Sequence, residues 1–437
     1  MAKNYQPVIG LEIHIELATQ SKMFCSCSAS HFEVEPNTHC CPVCLGLPGA
    51  LPVPNKKAVD WTIMLGLALN CEIAKESKFD RKNYFYPDLP KGYQISQYDQ
   101  PLCTNGKMIL DSGKEIGITR VHLEEDTGKL IHSQDATLID FNRSGVPLLE
   151  VVTEPDFENS LQVDEFLKKL QLIVRYLEIS SADMEKGSMR LEPNISVRKP
   201  DQKGLPKYKV EVKNINSFKF VRKAIEYEIS RQQQMLEKGE TPVQETRGWN
   251  ESKSKTYSQR GKEEANDYRY FPEPDIPPMT FTKEEVKEIQ SWITELPEAR
   301  IKRFVAKYQL SEYNAQQLVE NKDLAKYFEE VVMNAKNLSP TQIANWLINK
   351  KIDIDRINPK DLAKTIAESQ QVFEIKEEDL KIAINQVLKE NPKAVEDFRK
   401  GKAAVLGFLL GKVIAKTNPS IDKTKVSQTL FRILTKK

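Results

Sequence analysis

Five of the seven cysteines, Cys25, Cys27, Cys40, Cys41 and Cys44, fall within twenty positions. They read Cys25-x-Cys27 and then Cys41-x-x-Cys44, two close pairs joined by a loop of thirteen residues. Four thiolates so spaced can close a tetrahedral zinc site, and with no open position its role would be structural. Cys40 is then a spare thiol, and His39 could replace one thiolate. The plainer alternative is a set of free cysteines in a loop. In a chain of 437 residues whose first residues carry no apolar signal core, metal binding is favoured over a disulfide framework.

A second chemistry is carried by carboxylates and one imidazole. Residues 8–17 alternate apolar and polar, with Ile9, Leu11, Ile13, Ile15 and Leu17 on one face and Gly10, Glu12, His14 and Glu16 on the other. Period two predicts a half-buried strand, so Glu12 and His14 point the same way. Further acids stand at Glu124, Glu125, Asp126, Glu150 and Glu192. Oxygen donors with at most one imidazole suit magnesium or manganese. A solvated polar face is the competing reading.

Residues 78–101 interleave Lys78, Arg81, Lys82 and Lys91 with Phe79, Tyr84, Phe85, Tyr86 and Tyr93. Such a run can hold phosphates by charge and bases by stacking, or be an ordinary surface loop. The chain contains no P-loop of the form GxxxxGK followed by Ser or Thr, no kinase-type glycine loop and no Gly-x-Ser-x-Gly. No serine or cysteine nucleophile with a paired base stands out, so the chain shows no means of releasing ammonia from an amide.

The elements that must position these groups are mixed. Strands are expected at 115–123, 148–153, 194–198 and 208–212, and helices at 56–69, 161–177 and 218–238, the last capped by Asn216-Ser217. Four prolines within 271–278 mark a break. Helical patterns follow at 284–293, 324–335 and 340–348, with a second break near Asn358-Pro359 or within 370–378. The fold class is α+β: a cradle-like catalytic domain with the zinc motif over 1–292, a helical domain over 293–375 and a basic helical tail over 376–437. Net charge is only +2, which excludes a bulk polycation. From Lys393 to Lys437, eleven Lys or Arg stand against three Asp or Glu, a net of +8. No apolar run approaches the length that spans a bilayer, and a soluble cytoplasmic protein is expected.

Taken in order, the runs VIGLEIH (8–14), CPVCLGLPG (41–49), FDRKNYFYPD (79–88), HLEEDTGK (122–129), NRSGVPLLE (142–150), GSMRLEPN (187–194), VKNINSF (212–218), QETR (244–247) and DYRYFPEPD (267–275) resemble the B subunit family of the glutamyl/aspartyl-tRNA amidotransferases. The resemblance spans essentially the whole chain. It implies a cradle-like domain followed by helical domains, and an ATP- and magnesium-dependent phosphorylation of the side-chain carboxylate of misacylated Glu-tRNA(Gln) or Asp-tRNA(Asn). Ammonia from an amidase-type glutaminase A subunit then displaces phosphate, and a small C subunit completes the assembly. The family's magnesium site falls on His14, Glu150 and either Glu124 or Glu125, with Glu12 and Glu192 nearby. Its zinc motif falls on Cys25, Cys27, Cys41 and Cys44. Position 192, often Asp in the family, is Glu here, and the stretch between Ile366 and Glu378 is shorter than usual.

Granted that resemblance, Arg81, Lys82, Lys91 and Arg143 are candidates to hold phosphate oxygens, and Tyr84, Phe85 and Tyr86 to keep a tunnel mouth dry. In the tail, Lys400, Lys402 and Lys412 flank a helix rich in small residues and are expected on tRNA phosphates. The rival hypothesis is a non-catalytic, zinc-containing RNA-binding scaffold.

Overall fold

The computed structural model describes residues 5–199, 202–261, 268–335, 337–350, 352–369, 375–418 and 421–435. Asp267 and the first part of the expected break at 370–378 lie outside the described residues. Two compact units divide the chain, Met1–Pro297 and Glu298–Lys437.

The first unit carries all the described strands, β1 (Gln6–Glu16), β2 (Glu72–Ile73), β3 (Glu76–Ser77), β4 (Asp80–Asn83), β5 (Tyr93–Ser96), β6 (Cys103–Ile109), β7 (Glu115–Glu125), β8 (Lys129–His132), β9 (Thr137–Asp140), β10 (Pro147–Thr153), β11 (Met189–Arg198), β12 (Val210–Lys213), β13 (Glu245–Asn250), β14 (Lys255–Gly261), β15 (Phe271–Pro272) and β16 (Met279–Thr280). Nine of them form one sheet in the order β14-β13-β12-β11-β1-β10-β7-β6-β2. The alternating strand read at 8–17 is its centre, antiparallel to β10 and to β11. The β12–β13 pair is parallel. Parallel neighbours need a long crossover, and helix α3 provides it below.

Ile9, Leu11, Ile13 and Ile15 are buried in one core. That core is shared with Ile63 and Leu65 of α1 (Lys56–Ala68), Phe166, Leu167 and Leu170 of α2 (Ser160–Tyr176), and Val221 and Ile225 of α3 (Phe218–Glu237). Three helices therefore take the apolar side of the sheet. Their starts are chemically specified: Asn55, Asn159 and Ser217 accept hydrogen bonds from free first-turn N–H groups. Ser217 is the cap expected from the sequence. Glu228 of α3, fully buried, ties α3 to the sheet edge. It accepts from Arg231 at 2.9–3.1 Å, pairs with Arg247 of β13 at 3.1 Å and accepts from Thr256 of β14.

The proline-rich run at 271–278 is seated on a sheet edge. Phe271 and Pro272 pair with Arg81 and Asp80 of β4, and the buried Glu273 takes a two-pronged bond from Arg81 at 2.7 Å on each arm. A proline lacks a donor but can sit on a short edge strand. The first unit runs on through α4 (Lys283–Ser291), whose start is a Thr282–Glu285 capping box.

The second unit is helical: α5 (Pro297–Tyr308), α6 (Glu312–Val319), α7 (Lys322–Asn334), α8 (Pro340–Lys350), α9 (Pro359–Ser369), α10 (Glu377–Glu390), α11 (Pro392–Arg399), α12 (Val405–Lys416) and α13 (Lys423–Thr435). Helices α10, α12 and α13 share a small core of Leu380, Ile384, Leu409, Val413, Val426 and Leu430, against which α11 packs Val395 and Phe398. No described helix is long and apolar enough to cross a membrane.

Removing Glu228 would take from Arg231 and Arg247 the fully buried carboxylate they share and leave both to the Glu245 carboxylate. Glu228→Ala is expected to cost about 3–5 kcal/mol, read as a fall in the denaturant midpoint followed by the fluorescence of Trp249, which sits on β13.

Candidate functional site

On β1, β10 and β7 the register sets His14 beside Glu150 and Glu150 beside His122. Side chains two apart share a face, so Glu124 joins His122 on β7 while Glu125 is turned away. His14 Nε2 lies 3.5 Å from Glu124 Oε1 and 3.7 Å from Glu150 Oε2. His122 Nε2 lies 3.2 Å from the same Glu150 oxygen. Ser96 of β5 donates to Glu124 at 3.3 Å. One donor atom from each of His14, Glu124 and Glu150 falls within 4.8 Å of the others. Burial opposes ionisation of Glu150, yet His122, His14 and Lys82 hold its carboxyl well below the usual range. Burial likewise opposes the charge on Lys82, but the field of Glu124 and Glu150 outweighs it and raises the ammonium above its ordinary value.

Glu12 and Glu192, directly paired across β1 and β11, do not join this trio. They form a second group with Glu211 of β12. Lys213 lies 2.8 Å from Glu192 and 3.7 Å from Glu211. Thr246 of β13 donates to Glu211 at 2.8 Å, and Asn194 to Glu12 at 2.9 Å. Burial pushes the Glu192 carboxyl up, against the pull of Lys213. Beside this group is a cavity of about 340 Å³ lined by Gly10, Glu12, Asn194, Lys207 and Tyr208 among others.

Glu125, read as a candidate ligand, is committed elsewhere. It accepts from Ile95 N–H at 2.9 Å and pairs with Lys91 at 2.6 Å. Both residues line a separate cavity of about 190 Å³ that reaches Cys25 and Cys44. Arg81 is engaged by Glu273 at 2.7 Å and Asp275 at 3.4 Å. Arg143 donates to the carbonyls of Thr127 at 3.0 Å and Gly128 at 2.8 Å. Of the four cations read as phosphate ligands, Lys82 alone faces the His14 trio. Tyr84 hydrogen-bonds Gln94 at 3.2 Å, whereas Phe85 and Tyr86 are exposed.

Sequence reasoning passed over three residues here. His122 stands two before Glu124, the spacing that linked Glu12 with His14, and the signal was available. Glu211 alternates with Val210 and Val212 on a short strand. Lys22, almost wholly buried, showed nothing in sequence that marked it.

Cys25, Cys27, Cys41 and Cys44 cluster at metal-binding distance, with sulfurs within 4.8 Å of one another. His39 is not among them; its Nδ1 donates to the Ser30 carbonyl at 2.6 Å. Cys40 sits apart, 4.0 Å from Asn142 Oδ1. The hydrogen bond from Cys25, helped by the Cys41 N–H and the Lys22 ammonium, pulls the Cys44 thiol down to about 4 against the effect of burial. Lys22 Nζ stands 3.7 Å from Cys44 Sγ and donates to the His39 carbonyl at 2.7 Å. Cys25 and Cys27 move the other way, Cys25 raised by its hydrogen bond to Cys44 and by burial and Cys27 raised to about 11 by burial and its bond to Cys41, so the negative charge is held on Cys44.

In the second unit Lys400 pairs with Glu396 at 2.6 Å and Lys402 with Asp397 at 3.1 Å. Lys412 lies over the Phe408 ring at 5.6 Å. A Cβ added at Gly407 or Gly411 would meet nothing within 4 Å, so these small residues of α12 leave an open surface rather than a packed seam.

Residues 7–287 match the family model described as the GatB/GatE catalytic domain, and residues 356–434 the one described as the GatB domain. The aspartyl/glutamyl-tRNA(Asn/Gln) amidotransferase B subunit of Thermosipho melanesiensis is 46% identical over 476 residues, covering 98% of this chain and 99% of the relative. The protein of the same name from Carboxydothermus hydrogenoformans is 46% identical over 477 residues, covering 98% of each. That from Caldanaerobacter subterraneus is also 46% identical, over 99% of this chain and all of the relative. With matches of this extent, and with the acids and thiols converging as described, the chain belongs to the family of aspartyl/glutamyl-tRNA(Asn/Gln) amidotransferase B subunits.

Proposed function

We propose that this chain is the carboxylate-activating member of a cytoplasmic tRNA-dependent amidotransferase, a ligase that forms a C–N bond with glutamine as the nitrogen source. The observation that carries the reading is the convergence of His14, Glu124 and Glu150 on one sheet face, in a chain of this family. The side-chain carboxylate of Glu-tRNA(Gln) or Asp-tRNA(Asn) is a poor acyl donor because oxide is a poor leaving group. Its oxygen attacks the terminal phosphorus of ATP, ADP leaves, and ammonia then displaces phosphate from the acyl phosphate to give the amide. No serine or cysteine nucleophile with a paired base stands out in the sequence, which accords with ammonia arriving from an amidase-type A subunit, and a small C subunit is expected with it.

One imidazole and two carboxylates form a hard donor set that fits magnesium. Bound by His14, Glu124 and Glu150, magnesium supplies charge neutralisation for the phosphoryl group. The protein's own part is positioning. His122 and Ser96 hold the two carboxylates in place, and Lys82 offsets their charge and can meet a phosphate oxygen. Along β1, Gly10 lies four residues from His14, about 13 Å at strand rise. That is close to the reach from the terminal phosphate of ATP to its base, and it favours the cavity beside Gly10 and Glu12 for the nucleoside. Glu12, Glu192 and Glu211 then stand between the two ends. The four-thiol loop suits a structural zinc ion, which leaves no coordination position for substrate. In the tail domain, proposed as 376–437, Lys400, Lys402 and Lys412 border the open face of α12 and are assigned to tRNA phosphates. A non-catalytic RNA-binding scaffold is not favoured, because it gives no role to the paired acids.

The decisive experiment assembles the chain with its amidase and small partners and follows Gln-tRNA and Asn-tRNA formation that requires ATP, glutamine and magnesium. Glu150→Ala is expected to lower that rate on the order of 10²–10³-fold or more while leaving tRNA affinity unchanged; intact amidation would remove the proposed centre. Cys44→Ser is expected to release zinc, seen as loss of the metal in elemental analysis of the purified protein together with a lower melting temperature. Replacing Lys400, Lys402 and Lys412 by glutamine is expected to weaken tRNA binding and to flatten its dependence on salt by about one logarithmic slope unit for each phosphate no longer neutralised; an unchanged slope would take the tail off the RNA.

A further inference from the structure

The tyrosines around Lys82 form a continuous ladder of rings. Tyr84 meets Tyr268 edge-on, 5.9 Å between centroids, and Tyr268 meets Tyr270 at the same spacing of 5.9 Å. Tyr270 then lies flat on Tyr98, 4.1 Å between centroids with 9° between planes. The inner end surrounds Lys82, whose ammonium is 5.9 and 5.1 Å from the Tyr84 and Tyr268 centroids. Tyr270 shares the field of Lys82 and Glu124. The outer end, Tyr98, is 53% exposed. It is nevertheless held: its backbone N–H donates to Asp80 at 3.1 Å, and Asp80 is buried. A rigid aromatic ring with half its surface in water is a poor core residue and a good platform for a nucleobase.

We propose that this ladder is the stacking platform for the 3′-terminal adenine of aminoacyl-tRNA, with Tyr98 carrying the base while the esterified amino acid reaches inward to Lys82 and Glu124. The inference rests on the reading that aminoacyl-tRNA is the substrate, and it deepens that reading by naming the residues that seat its end. Adenine also occurs in ATP, but the ladder opens at the surface, as the single-stranded end of a macromolecule requires. The cavity beside Gly10 and Glu12 is lined from β1, β10 and β11 and is sized for a small nucleoside. The 3′-terminal adenine is common to both tRNAs, so one stacking platform serves either substrate.

The test uses the full chain in its assembled complex. Tyr98→Ala is expected to raise KM for Glu-tRNA(Gln) about tenfold, in the range of one lost stack, with KM for ATP unchanged; Tyr98→Phe, which keeps the ring, is expected to behave as the unsubstituted protein. A second arm needs no turnover. Glu-tRNA(Gln) bearing 2-aminopurine at its terminal position is expected to lose fluorescence on binding to the unsubstituted complex and to the Phe variant, and to keep it with the Ala variant. Unchanged KM for tRNA and unchanged quenching in the Ala variant would overturn the proposal, as would a rise in KM for ATP instead, which would assign the platform to the nucleotide. A complex that quenches normally but makes no amidated tRNA would count against the proposed activity and leave the platform standing.

Discussion

Antiparallel pairing at the centre of the large sheet is the constraint on which the site depends. Side chains along a strand alternate faces, and a shift of one residue would exchange them all. Ile9, Leu11, Ile13 and Ile15 give β1 a strongly apolar side that must meet the helices. Once that side is buried, Glu12 and His14 have one orientation left. The same logic operates on β10 and β7, where Leu149, Val151 and Leu123 are buried in the core and Glu150, His122 and Glu124 take the opposite side. Burial of aliphatic residues thus aims the polar ones.

Gathering carboxylates on one face has a cost. Like charges a few ångströms apart repel, and desolvation adds to the penalty. The chain answers with local cations and donors rather than dispersal. Lys82 and His122 serve the His14 trio, and Lys213 and Thr246 serve Glu211 and its neighbours. Asp126, close by, is buried against Arg190 at 2.5 Å and is held far below the carboxylate range by Arg190 and Arg143 in spite of its burial. Such a face is poorly suited to an apolar partner and well suited to a hard cation with phosphate.

The thiol loop follows a different principle. It contributes no carboxylate to either acid group, and its sulfurs are organised by one another, by backbone N–H groups and by the buried Lys22. Its cavity nevertheless touches Lys91 and Glu125, so the loop and the back of β7 share a boundary. Loss of the loop's shape would be felt there first.

Local patterns in the sequence determined a good deal. Period-two alternation marked β1 and, through the same rule, the faces of its acids. Helix periods located α1, α2 and α3, a capping residue marked the start of the last, and the paired cysteines declared their own partnership by spacing. What the sequence left open was every relation between segments far apart in the chain. Glu124 and Glu125 are adjacent and chemically equal, and only the register of β7 on β10 decided which one meets His14. Glu12 and Glu192 looked like companions of His14 until pairing with β12 brought Glu211 to them. The prolines at 271–278 marked a break because proline cannot continue a helix or a central strand, and only the fold showed that the break is held on the edge of β4 and by the Arg81–Glu273 bond. Composition and spacing act over a few residues, whereas register, crossover and burial act across more than a hundred. The chain itself carries the chemistry of its site; the strand order of the folded sheet decides which groups share it.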